Sequence, residues 1–238
     1  MFHIPPAYLY KYKSLGRKVD VERTIAVIKT GRIFAAPLGK LNDPMEGKAV
    51  VPMSGFAGVS LSRSIEKLPA RFSNDIEKCR VLSLSENPTS PQMWAYYANG
   101  YKGVCLQFER IPIEVEPVRY TRHPYHVGYT TLDSEDGNRI ARARLLTKHA
   151  DWSHEYEWRA VFIGDEVEDY VSMGEGNPSS VILGHKCDGD VAQQIVLACK
   201  ERGIPVHQTY LSDWNLSIRI IPYGFEPART GESLIGKC

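Results

Sequence analysis

Three charged residues have the types and spacing to do chemistry: Glu155, Glu157 and Arg159, within Trp152-Ser153-His154-Glu155-Tyr156-Glu157-Trp158-Arg159. Side chains alternate along a strand, so a strand through this run places all three on one face. Tyr156, Trp158, Ala160 and Phe162 fall on the other, which the apolar character makes the buried one. Two carboxylates roughly 6–7 Å apart along a strand repel each other. One pKa then rises unless a cation intervenes, and Arg159 is placed to supply that cation. Such a trio can hold a hydroxyl or stabilise a developing positive charge. The plainer alternative is a solvated polar face carrying a salt bridge.

Three other segments carry polar or aromatic groups in suggestive order. Leu41-Asn42-Asp43-Pro44-Met45-Glu46-Gly47 is an Asx-type turn candidate, because Asn and Asp side chains bond the local backbone. Its functional alternative puts Asn42, Asp43 or Glu46 at a site. In Met93-Trp94-Ala95-Tyr96-Tyr97-Ala98, Trp94 and Tyr97 share a helix face. They read either as core or as a stacking surface for a planar ring. Tyr8-Leu9-Tyr10-Lys11-Tyr12-Lys13 is a strand that either forms a guarded edge or presents Lys11 to a phosphate. His123 and His126, or His149 and His154, lack the companions of a metal site, so no metal is expected. Gly-x-Ser-x-Gly, P-loop and His-Glu-x-x-His motifs are absent.

The elements that must position these groups read as one α+β domain over residues 1–238, a mixed or antiparallel sheet with flanking helices. Strands are expected at 7–13, 32–36, 80–85, 103–108, 115–120, 156–163, 180–183, 204–208 and 216–222. Helices are expected at 20–31 with Asp20 as N-cap and Gly31 at the end, at 60–78, at 91–98 with Ser90 as N-cap, at 134–149 and at 190–202. Residues 122–133 read as loop. Irregular alternation and the lack of a glycine-rich strand-to-helix turn exclude a doubly wound dinucleotide fold. In 238 residues, 43% hydrophobic content supports a sizeable core, and a net charge of +1 gives no polybasic nucleic-acid surface. Five scattered cysteines suit reduced thiols in a cytoplasmic protein, and no stretch has the length of a membrane span.

Six motifs in order resemble a bacterial family known as domain of unknown function 2971. They are Tyr10-Lys11-Tyr12, Asn42-Asp43-Pro44-Met45-Glu46, Ser83-Leu84-Ser85, Met93 to Ala98, Gly103 to Phe108, and Glu155 to Arg159. The resemblance runs from about residue 8 to 185. More distantly, the order of elements is similar to the ADP-ribosyltransferase fold, a split sheet that holds NAD in a cleft. That likeness implies NAD as substrate. Lys11 or Tyr12 would stand on the first strand, Ser83 and Ser85 on a middle strand, and Glu155 and Glu157 on a late one. It further implies that Glu157 stabilises the ribose cation and Glu155 handles the acceptor. Trp94 or Tyr97 would stack on nicotinamide, and Lys11 would meet the pyrophosphate. The acceptor, protein or nucleic acid, stays open. Two rivals remain: a metal-dependent nuclease using Asp43, Glu46 or Glu157, and a non-catalytic binding module.

Overall fold

The computed structural model of the protein describes residues 4–53, 61–64, 76, 78–127, 137–164, 168–212 and 215–225. The tyrosine alternation forms the first strand of a nine-stranded sheet, β1 (Tyr8–Lys13). The others are β2 (Ala36–Pro37), β3 (Arg80–Ser85), β4 (Val104–Glu109), β5 (Glu116–Pro117), β6 (Glu157–Phe162), β7 (Ser180–Leu183), β8 (Val206–Ser212) and β9 (Ser217–Pro222). Helices are α1 (Lys18–Thr30), α2 (Pro91–Tyr96), α3 (Gly137–Leu145) and α4 (Gly189–Glu201).

In space the strands run β9-β8-β7-β4-β1-β3-β6-β5, with β2 beside β3. Neighbours are antiparallel except β7 and β8, which α4 joins as a parallel crossover. One such crossover in an otherwise antiparallel sheet gives an α+β protein with a mixed sheet. Alternation along β4 separates two cores. Val104, Leu106 and Phe108 face α1 and α4, packing with Ile28 and Ile195, while Cys105 faces α2 and packs with Trp94 and Tyr12.

Two helix ends follow their sequence signals. Gly31 closes α1 at φ 65°, its N–H donating to the Val27 carbonyl. Ser90 caps α2 and accepts from the Met93 N–H, with Pro91 in the first turn. The start of α1 differs from expectation: Arg17 is the N-cap, and Asp20 lies in the first turn, bonded by the Arg17 guanidinium.

Three expected elements change. Within 60–78, Leu61–Ser64 is a strand paired with Ala49–Met53, and positions 60, 65–75 and 77 lie outside the described residues. Of 122–133, Tyr125–His126 pairs with Ala49 and Val50, and 128–133 lie outside them. The helix expected to reach 149 ends at Leu145, and Thr147–His149 pairs in parallel with Arg119–Thr121. Strand pairing there overrides the local preference for helix. Among the described residues, no helix is long and apolar enough to cross a membrane.

The feature that matters for a site is a split in the main sheet. β1 and β3 share one register pair, Tyr10 opposite Ser85, and then separate. β2 pairs with the other end of β3, at Val81 and Arg80. The Ser83 carbonyl, left without a ladder partner from β1, instead accepts a hydrogen bond from the Lys11 ammonium at 2.7 Å.

Candidate functional site

A cavity of about 260 Å³ opens at this split. Lys11 enters from β1, Ser83 and Ser85 from β3, Glu157 and Arg159 from β6, and Tyr97 from the end of α2. Asn42, Glu46, Lys148 and Glu155 also line it, with Lys13 and Lys40 toward one side.

Each group arrives for a local reason. Asp43 folds the 42–47 turn by accepting from the Met45 N–H at 2.9 Å, as Asx chemistry predicts, and Gly47 at φ 70° ends it. The turn aims Glu46 inward and leaves Asn42 at the rim. Pairing with Tyr120 places Lys148 on the buried side of its short strand, with its ammonium 4.9 Å from the Trp152 ring centre. Glu155 does not sit on the strand. It ends a 3-10 helix, Ala150–Glu155, and Tyr156 turns the chain at φ 45° before β6 begins. The Ser85 hydroxyl pins that turn by donating to the Glu155 carbonyl at 2.6 Å, and the Glu157 N–H donates to the Tyr120 hydroxyl at 2.8 Å.

The charged groups form a closed network. Arg159 donates to both Glu157 oxygens, at 2.7 and 2.9 Å, to Glu46 at 2.9 Å and to the Leu145 carbonyl at 2.5 Å. The Lys148 ammonium lies 3.3, 2.5 and 3.1 Å from Glu46, Glu155 and Glu157. The Tyr97 hydroxyl donates to Glu155 and takes a hydrogen bond from Asn42. Glu155, Glu157 and Arg159 are only 3%, 5% and 1% exposed, which rules out the solvated-face reading. A carboxylate oxygen of Glu46 stays without a hydrogen-bond partner.

This packing separates the two glutamates electrically. Burial alone would raise Glu157, but Arg159 and then Lys148 outweigh it and hold its carboxyl down at about 2. Burial and then repulsion from Glu157 keep Glu155 above the usual carboxylate range, against Lys148 and Tyr97. Burial opposes the charge on Lys148 too, yet Glu157 and Glu46 raise its pKa. Lys11 goes the other way: burial, then Lys13, lower it to about 8. One carboxylate is thus firmly ionised, a neighbour binds protons more readily, and a lysine sits near neutrality.

Most expected site residues meet at this cavity: Lys11, Asn42, Ser83, Ser85, Tyr97, Glu155, Glu157 and Arg159. Tyr12 lines it as well, but its hydroxyl is committed to the Asn87 carbonyl at 2.7 Å. Two expected residues lie outside the lining. Trp94 is fully buried, its indole N–H donating to the Pro88 carbonyl, so its ring belongs to the core and is not free to stack on a ligand. Asp43 is a turn residue. Sequence reasoning missed Lys148 entirely, since it stands in an Arg- and Ala-rich stretch read as helix.

The geometry defines an α+β protein with a charged, buried cavity at a sheet split. Residues 93–160 match the sequence model of a family described as Protein of unknown function (DUF2971). That stretch runs from α2 into β6 and includes Tyr97, Lys148, Glu155, Glu157 and Arg159. It is narrower than the span of the six motifs. No curated protein and no solved structure matches the chain.

Proposed function

We propose that the protein consumes NAD, as a glycohydrolase or ADP-ribosyltransferase, with Glu157 at the centre of the inner cavity. The observation that supports this reading is the convergence of Lys11, the two β3 serines and Glu157 on one cavity, from three adjacent strands of a split sheet. That is the order of groups an ADP-ribosyltransferase-like fold would require.

Charge then dictates the mechanism. The bond between nicotinamide and ribose breaks with its electron pair leaving on nicotinamide, and the ribose becomes oxocarbenium-like. Glu157, ionised throughout the neutral range, faces that positive charge and accepts from a ribose hydroxyl. Arg159 and Lys148 hold the carboxylate through three contacts, and the Ser83 hydroxyl makes a further one, the place a ribose hydroxyl would take. Glu155, with its higher pKa, takes the proton of the attacking water or acceptor hydroxyl. Tyr97 orients Glu155. A metal-dependent nuclease is less well supported. Asp43 is outside the cavity, and the positive charges of Arg159 and Lys148 already sit on Glu46 and Glu157.

The test is nicotinamide release from NAD by the purified chain. Wild type should release it, and Glu157→Gln should be slower by at least about a hundredfold while keeping its circular dichroism. Normal turnover by a folded Gln variant would overturn the proposal, as would an inert wild type.

A further inference from the structure

A second, larger chamber of about 920 Å³ adjoins the inner cavity, and Lys13, Phe34 and Lys40 line both. Its charge is one-sided. Arg32 and Arg80 are paired with Glu168 and Asp169, but Lys13, Arg23 and Lys40 make no ion pair among the described residues. Lys13 is half-buried, so its positive charge is partly desolvated, and Asp20, itself bonded to Arg17, acts on it without an ion-pair contact. Lys40 is already in place, its ammonium 5.3 Å from the centre of the Phe34 ring. Lys11 and Lys13 stand two residues apart on one face of β1. They form a row of positive charge leading from the split toward the outer chamber.

We propose that the outer chamber is a phosphate site: Lys13, Arg23 and Lys40 hold the phosphoryl or diphosphoryl group of a nucleotide. The phosphate chemistry stands on the chamber alone. That the nucleotide is the one cleaved in the inner cavity rests on the proposed function. A compact dianion would supply the close anionic contacts that Lys13, Arg23 and Lys40 lack among the described residues, and charge-assisted hydrogen bonds are the strong ones. A neutral or cationic ligand would leave Lys13 as it is.

Calorimetry with inorganic pyrophosphate on the full chain, at low ionic strength and neutral pH, tests the site. Saturable one-to-one binding is expected, weakening at least about tenfold in Lys13→Met and in the more exposed pair Arg23→Gln with Lys40→Gln. The second variant guards against loss of fold in the first. AMP should displace pyrophosphate. No saturable binding, or unchanged affinity in a folded Arg23→Gln, Lys40→Gln protein, would overturn the site. Pyrophosphate binding that AMP cannot displace would overturn the nucleotide assignment in favour of free phosphate. Binding without nicotinamide release sinks the proposed function alone, and release without binding sinks this site alone.

Discussion

The two adjoining chambers carry charge in opposite ways. In the inner cavity three glutamates meet Arg159 and Lys148 in a buried network, and almost every oxygen has a partner within the chain. In the outer chamber the carboxylates already serve Arg32 and Arg80, and Lys13, Arg23 and Lys40 make no ion pair among the described residues. Compensated, buried charge is expensive to assemble and holds its shape, which suits groups that must be oriented before a substrate arrives. Uncompensated charge at a wider opening contributes little to the fold and awaits an anion. The contrast assigns geometry to one chamber and attraction to the other.

The largest test of that contrast is Arg159→Met. It strips donors from Glu157, Glu46 and the Leu145 carbonyl and strands buried carboxylates. Urea unfolding should show a loss of about 3–5 kcal/mol. A loss below about 1 kcal/mol would mean the inner network is hydrated and the contrast false.

Acid should expose the same network. The folded Glu157 carboxyl titrates near 2, below its ordinary value of 4.5. Its stabilisation is therefore complete above pH 4.5 and is lost as pH falls toward 2. Stability measured against pH should fall across that window in wild type, and the fall should be shallower in Glu157→Gln. Equal slopes in both proteins would contradict the assignment.

Lys11 stands between the chambers and predicts a smaller effect at the opposite end of the scale. Its folded pKa is near 8, and a bound anion favours the charged form. Pyrophosphate or nucleotide binding should then take up a proton above that pH, and affinity should decline as pH rises through about 8. Lys11→Arg, permanently charged, should flatten the decline. A profile unchanged by that substitution would remove Lys11 from the phosphate path.

The smallest expected effect sharpens the other half of the contrast. Lys40→Gln should change unfolding free energy by no more than about 1 kcal/mol, since the side chain is exposed and its charge has only the Phe34 ring to lose. A larger loss would show that the outer cations support the fold.

Much of this was legible in the sequence where a period or cap dominates. β1 and β4 follow their alternation, β3 and β7 stand where short strands were expected, and α2 follows Ser90-Pro91. Glu157 and Arg159 share a face because β6 is a regular strand. Glu155 reaches the same cavity by another route. The pattern His-Glu-Tyr-Glu carries no sign that Tyr156 adopts a left-handed turn, which Ser85 stabilises from seventy positions away in the chain. Lys148 was hidden for a related reason. Its run favours helix locally, and only pairing with Arg119–Thr121 makes it a strand that buries the lysine. A solvated polar face stayed open as the alternative because one of the two cations that permit its burial, Lys148, comes from another strand. Trp94 shows the reverse error: an aromatic beside a site is satisfied by the core, its N–H included.

The account stands most directly on a crystal structure of Glu157→Gln with NAD. It predicts the nicotinamide ribose within hydrogen-bond reach of residue 157 and the diphosphate on Lys13, Arg23 and Lys40. NAD bound elsewhere, or an inner cavity left empty at saturating NAD, would contradict it.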